Sequence, residues 1–307
     1  MSDTETILIL PDLLNMDKTS GPLWSRLEAF GNSVSLQKRF PRFVSCYPRL
    51  HDAIKQAFAC ALDLSTGNDK ADIAIYGLGR LCLEDFTEIV FLVENDFGYG
   101  ALKLLRGLYE RVVVAEIIIE SPVEEAARFY DYFVVDERKW NRRGKAVYAK
   151  WNEDPSGLAE FYDEKIDKFK YEPCVTCGKP PQQTWTRHPL DSLAGELGKA
   201  TNDPELRNYG KELRDLYFFC AALPNSHIHA SMYSILQRLT GQPEGPLDPR
   251  NYALSYAHLL LVLAIDAQNR RFALGMDSLL EQLHADRANG WTVAAQSKSK
   301  DEQPGLF

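Results

Sequence analysis

The sequence has few cysteines, no membrane-length apolar run and almost no strand signals. Its six cysteines in 307 residues are too few for a disulfide framework, and four of them lie singly within apolar patterns that are typical of reduced, buried thiols. The longest uncharged apolar run near the C-terminus covers residues 257–265 and falls short of the ~20 residues that a membrane-spanning helix needs. These absences favour a protein of a reducing compartment with no membrane segment.

An excess of basic charge, a targeting signal and a phosphate-binding loop are also missing. Lysine and arginine number 35 against 43 aspartates and glutamates, giving a formal net charge of -8. This charge argues against a generally basic nucleic-acid-binding surface, although a local basic cleft stays open. Residues 1–6 lack the basic flank and small-residue cleavage site of a signal peptide, so we expect a cytoplasmic protein. No glycine-rich phosphate loop, internal repeat or long heptad pattern is present.

Apolar residues recur at intervals of three and four along most of the chain, which predicts an all-α, multi-helix bundle. We expect a central buried helical hairpin over residues 80–119, turned by the Asn-Asp and glycine-rich stretch 95–100. The other expected elements are a single all-helical domain over 1–286, an irregular loop at 171–189 and a disordered or frayed tail at 287–307. The main helices are expected at 22–31, 49–64, 80–93, 99–119, 190–200, 203–222, 225–240 and 249–283.

A long helix is expected after the hairpin, and its second half is basic. Ser121 as N-cap, Pro122 at the first helical position and Glu124 form a strong helix start. Residues 138–145 carry five basic side chains and no acidic one. A charge run of this kind is usually a solvated helix face, and a nucleic-acid-binding role is the alternative.

Four polar side chains follow one line of the apolar helix at 99–119. Tyr99, Lys103 and Arg106 share a face with Glu110. Because the last turns of this helix are apolar all round, we expect it to be buried and its charges to lie inside the protein. Arg106 and Glu110 are four residues apart and can pair, so they form either a structural brace or part of a ligand site.

A second polar group occurs at residues 225–233. Pro224 followed by Asn225 predicts a helix start, which would put His227 and His229 in the first turn, where free backbone N–H groups favour an anion. Ser231 shares a face with His227. The alternative is that one histidine caps the helix and the other is a packed core residue.

The pair Cys174 and Cys177 has the spacing and turn chemistry of a zinc knuckle, with His188 as the nearest third ligand. Only one such pair occurs, whereas a closed structural site needs four ligands, so free thiols in a loop are the competing interpretation. We expect no obligatory cofactor, and zinc at Cys174 and Cys177 stays an alternative.

Several short motifs together resemble a family of uncharacterised bacterial helical proteins, domain-of-unknown-function family 5677, over about residues 75–240. The motifs are Ala101-x-x-Leu-Leu-Arg106-x-x-Tyr-Glu110, Ser121-Pro with Arg128-Phe-Tyr-Asp-Tyr132, the stretch from Trp185 to Gly198, and Tyr217 leading to His227-x-His229. The resemblance implies an all-helical domain in which an Arg-x-x-x-Glu helix and a later histidine-bearing helix occur together. It implies no activity, and the cysteine pair is not part of the pattern.

Two functions are consistent with these features. The first is a binding, interaction or regulatory module with a buried Arg106–Glu110 brace, which associates with a protein partner or with itself. The second is a metal-independent phosphodiesterase or ribonuclease of a toxin or phage-defence type, in which Arg106 and Lys103 hold the anion and His227 or His229 is the general acid or base. The Arg-x4-His signature of small helical nucleases is missing, so the second rests on fold-level analogy.

Overall fold

The computed structural model describes most of the chain, and every regular element in its described ranges is helical. These ranges are 21–64, 69–147, 169, 184–186, 188–199, 201–228, 232–239 and 248–297. The prediction of an all-α bundle is confirmed. The helices are α1 (Pro22–Phe30), α2 (Val34–Arg39), α3 (Pro41–Leu64), α4 (Lys70–Glu94), α5 (Gly98–Glu120), α6 (Glu124–Val147), α7 (Leu190–Leu193), α8 (Pro204–Tyr217), α9 (Leu223–Ile228), α10 (Met232–Leu239), α11 (Pro249–Phe272) and α12 (Asp277–Ser297). A 3-10 turn (Ala194–Glu196) follows α7, and a π-helical segment (Phe218–Ala222) joins α8 to α9.

Three helices, α4, α5 and α11, pack against one another and form the centre of the bundle. Helix α11 is buried on all sides because its apolar residues cover its whole circumference. Helices α4 and α5 form the expected hairpin, which turns at Asp96 in a left-handed conformation (φ 68°). Gly98 allows the start of α5 to approach α11 closely, since a Cβ there would lie 2.8 Å from the backbone nitrogen of Arg250. None of the helices within the described ranges could span a membrane.

The predicted final helix over 249–283 is wrong, because the chain forms two helices there. Ala273 adopts a left-handed conformation (φ 50°) and ends α11. The Asn269 side chain stabilises the turn between α11 and α12. Its Oδ1 accepts a hydrogen bond from the Met276 backbone N–H, and its Nδ2 donates one to the Asp277 carboxylate. Residues 287–297, which the sequence places in a tail, belong to α12.

Three other helices differ from their predicted starts. Helix α3 begins at Pro41 and continues through Pro48. Helix α4 begins ten residues before the predicted start at residue 80, because Asp69 caps it by accepting a hydrogen bond from the Ala71 N–H. Helix α6 begins at Glu124 rather than at Pro122. The sequence also predicts a short helix at 155–170, of which the structure describes residue 169 alone. Most of the predicted loop at 171–189 lies outside the described residues.

Candidate functional site

The line of polar residues on α5 does not lie inside the protein as predicted. Lys103 and Glu110 are exposed, and Arg106 and Tyr99 are only partly buried. The reason is that α5 contacts α4 and α11 through its apolar side chains. This packing leaves the line at the edge of the core, where Arg106 and Tyr99 meet α9 while Lys103 and Glu110 face solvent.

Arg106 connects α5 to α9 instead of pairing with Glu110. Its Nη1 donates a hydrogen bond to Oδ1 of Asn225 at 2.6 Å, across 119 residues of sequence. Among the described residues no ion pair joins Arg106 to Glu110, so the predicted brace is wrong. Arg106 makes a partly buried hydrogen bond to the side-chain amide of Asn225. Glu110 is exposed to water, where an ion pair between residues i and i+4 contributes little to stability.

His227 lies beside the same face of α5. Its ring is 5.0 Å from that of Tyr99, tilted by 52°, and the residue is 6% exposed. Tyr99 and Arg106 are seven residues apart, two turns along one face, while Asn225 and His227 are two apart on α9. The structure therefore makes two contacts between α5 and α9, Tyr99 with His227 and Arg106 with Asn225, from polar residues that the sequence singled out in two separate regions. His229 and Ser231 lie outside the described residues.

The helix start predicted at Pro224 is wrong, because residues 204–228 form one continuous helical run. The π-helical segment carries the chain past the proline, and the Leu223 N–H donates to the carbonyl of Phe218, five residues back. Pro224 has no N–H for the carbonyl of Phe219, and the hydroxyl of Tyr252 donates to that carbonyl instead at 2.9 Å. His227 therefore lies in the last turn of the run, and the argument for an anion site at a helix N-terminus fails.

The buried Arg–Glu pair of this protein is made by residues that sequence reasoning missed. Glu116 is 1% exposed, and both of its carboxylate oxygens accept hydrogen bonds from Nη2 of Arg270 on α11, at 2.6 and 2.7 Å. The hydroxyl of Tyr209 donates a third bond at 3.1 Å. Burial raises the pKa of Glu116 more than the neighbouring Arg270 lowers it. The sequence does contain a signal for a buried charge here, because Glu116 is the single charged residue among the apolar residues 112–119.

The structure does not test the predicted set of metal ligands. Cys174 and Cys177 lie outside the described residues, and the zinc site stays a prediction. The His188 side chain is 47% exposed, with its Nδ1 3.7 Å from a carboxylate oxygen of Glu196. Within the parts of the chain that the structure covers, no group of three His, Cys, Asp or Glu side chains could hold a metal ion.

The sequence is similar to known proteins at the level of a protein family. No curated protein matches the sequence significantly, and no solved structure does. A family model described as a family of unknown function (DUF5677) matches residues 72–246, which is more than half of the chain. The matched region contains α4, α5 and α9, and so includes Arg106, Asn225 and His227. The chain belongs to this family of unknown function, DUF5677.

Proposed function

We propose that this protein is a helical binding module that associates with a second copy of itself through helix α10. The observation that carries the proposal is the inverted burial of that helix: Ser234 is buried, while four large apolar side chains are exposed. These side chains follow the i, i+3, i+4, i+7 pattern of a helix face that docks against a partner. They are Met232 (65% exposed), Ile235 (46%), Leu236 (52%) and Leu239 (78%).

The size of this face suits a weak symmetric dimer. Four side chains with these exposures present roughly 400–500 Å² of apolar surface, similar to the largest patch on a typical monomer. Two copies would bury about 800–1,000 Å² of it, and polar residues at the rim would bring the total close to the ~1,200 Å² lower limit of specific interfaces. We therefore expect a dissociation constant in the micromolar range.

A second copy is favoured as the partner by the charge of α10. A symmetric dimer places the same patch on both sides of its interface, and the protein as a whole carries a net charge of -8. The α10 sequence, Met-Tyr-Ser-Ile-Leu-Gln-Arg-Leu, contains one charged residue. Two copies of this helix thus bring one positive charge each to the interface, and they meet less like-charge repulsion than most other faces of an acidic protein would.

Sedimentation velocity between about 1 and 200 μM tests the dimer. The wild-type protein should shift from monomer towards dimer with concentration, and Leu239→Glu should remain monomeric because a charge would be buried in the interface. Val34→Glu is the matched control, since Val34 is an equally exposed apolar residue (83%) on α2. A wild-type protein that is monomeric throughout, or a Leu239→Glu variant that dimerises normally, contradicts the proposal.

The second candidate function is a phosphodiester-cleaving or phosphate-binding site on α5 and α9. It is favoured by the proximity of Tyr99 to His227 and of Arg106 to Asn225. In this scheme Arg106 holds the anion, aided by Lys103, and a histidine of the His227 segment transfers the proton. Glu110 has no role in it, because it does not contact Arg106.

The Arg106→Ala variant separates the two candidates. A phosphodiesterase predicts that the wild-type protein cleaves RNA and that the variant folds but loses cleavage. A purely structural Arg106 predicts a lower melting temperature and no cleavage by either protein. Lys103→Ala provides the comparison, since Lys103 is exposed and its loss should leave the melting temperature unchanged.

A further inference from the structure

The C-terminal half of α6 exposes two large aromatic side chains on one face. Phe133 and Trp140 are each 66% exposed. They are seven residues apart, so they lie two helical turns apart on the same side of α6, separated by about 10.5 Å along its axis. Aromatic residues of this size are usually well buried, so two of them exposed on one helix face suggest a binding role.

The same half of α6 is the most basic stretch in an otherwise acidic protein. Residues 138–145 contain five basic residues and no acidic one. Arg143 is exposed, and its guanidinium carbon is 5.8 Å from the ring centre of Trp140. Lys139 is engaged differently, because its ammonium group pairs with Asp136 at 3.3 Å. The remaining basic residues give this end of the helix a local positive charge.

Exposed aromatic side chains next to basic residues are the combination that typically binds single-stranded nucleic acid. Exposed aromatic rings stack on unpaired bases of any sequence, while adjacent arginines bind the phosphates and add cation–π contacts. The distance between the two aromatic residues corresponds to about three base-stacking steps of ~3.4 Å. An acidic peptide would satisfy the arginines but would leave both aromatic faces exposed to water.

We propose that this face of α6 binds single-stranded nucleic acid, with bases stacked on Trp140 and Phe133, and with phosphates held by Arg143 and attracted by the positive charge of the stretch 138–145. The interaction uses a different helix from the proposed α10 dimer and does not depend on it. Either proposal can therefore fail without affecting the other. The interaction also requires no cleavage of the strand.

Fluorescence anisotropy with a labelled 20-nucleotide oligo(U) and the full-length protein tests the proposal. We expect saturable binding at 50 mM salt that weakens by roughly 50-fold at 200 mM salt, as four phosphate contacts on a single strand predict. Trp140→Ala should weaken binding by about 5- to 100-fold, the usual effect of losing one stacked base. Arg143→Ala should lower the slope of log K against log salt by about 0.7.

Phe97→Ala is the matched control, because Phe97 is an equally exposed aromatic residue (62%) at the corner between α4 and α5. It should bind like the wild-type protein, and circular dichroism should show that all three variants remain folded. The proposal is overturned if no saturable binding occurs, if Trp140→Ala behaves like Phe97→Ala, or if the protein binds duplex of the same length as tightly as the single strand. Binding only to vesicles containing phosphatidylserine would overturn it as well.

Discussion

Replacing Arg270 with methionine should destabilise the protein in a strongly pH-dependent manner. The substitution approximately keeps the volume of the side chain but removes the partner of Glu116, which is 1% exposed, whereas Arg270 is 36% exposed. Leaving a buried charge without its partner costs about 3–5 kcal/mol when that group stays charged. Glu116 can avoid part of that cost by taking up a proton, because burial already raises its pKa and Arg270 is the main group that opposes this shift.

The sign of the pH dependence follows from the raised pKa of the remaining carboxyl group. The folded variant then binds a proton that the unfolded chain releases above its ordinary pKa of about 4.3. Stability is therefore retained at low pH and lost as the pH rises through the folded-state pKa, by up to about 1.4 kcal/mol per unit. Relative to wild type, we expect a deficit of about 1–2 kcal/mol at pH 5 that grows to about 4 kcal/mol at pH 8.

Urea unfolding followed by circular dichroism at pH 5, 6.5 and 8 measures this deficit. Arg271→Met is the matched control, since the neighbouring arginine pairs with Asp69 and Asp72, of which Asp69 is half-exposed. Its loss should cost less than that of Arg270, about 1–2 kcal/mol, because Asp72 (14% exposed) and Asp69 (47% exposed) both keep more contact with water than Glu116. A deficit for Arg270→Met that is independent of pH, or equal to that of the control, would refute the assignment of Glu116 as a buried, paired carboxylate.

Three further predictions concern the core. Gly79→Ala should destabilise the protein by about 1–3 kcal/mol through overpacking, because its Cβ would lie 2.4 Å from Nε2 of Gln268. Gly77→Ala is the control: its Cβ would meet nothing within 4 Å, so it should stabilise the helix by about 0.5–1 kcal/mol. Thermal unfolding compares the two variants. Burial lowers the pKa of His258 from 6.5 to about 4. Its contribution to the free energy of unfolding is therefore intact above pH 6.5 and falls by about 3 kcal/mol as the pH drops through 4. The His258→Leu variant should lack this loss of stability when urea unfolding is measured over the same pH range. Tyr252→Phe should cost about 0.5–1 kcal/mol in chemical denaturation, because the carbonyl of Phe219 loses a solvent-exposed hydrogen bond. An unchanged midpoint would show that water replaces the hydroxyl.

Local sequence patterns predicted the helices and the hairpin, because both depend on neighbouring residues. The periodic apolar positions set the helical faces, and residues 95–100 provide a turn that any surrounding fold would tolerate. The end of α11 was harder to predict. It depends on the side chain of Asn269, which bonds to Met276 and Asp277. The local signal in the sequence is a single glycine, Gly275, which adopts a left-handed conformation (φ 69°) two residues after Ala273.

The identity of the buried charges could not be obtained from α5 alone. Glu110 and Glu116 both interrupt an apolar pattern, and a single helix does not show which of its sides meets the core. The partner of Glu116 is 154 residues away, so the choice is made by the packing of α5 against α11. The helix start predicted at Pro224 was wrong for a related reason. The Phe219 carbonyl, which lacks a backbone donor at Pro224, accepts a hydrogen bond from Tyr252, a residue of another helix.

The π-helical segment at Phe218–Ala222 sets the alignment of everything that follows it. A π turn contains one more residue than an α turn, and such segments correspond to a single-residue insertion in an ordinary helix. Removing one residue here would leave a continuous helix but rotate α9 by about 100° and draw it back by about 1.5 Å. Asn225 would then turn away from Arg106, and His227 from Tyr99. The meeting of these four side chains thus depends on chain length at one point as well as on their identities, and a one-residue deletion could abolish it while every one of them is retained.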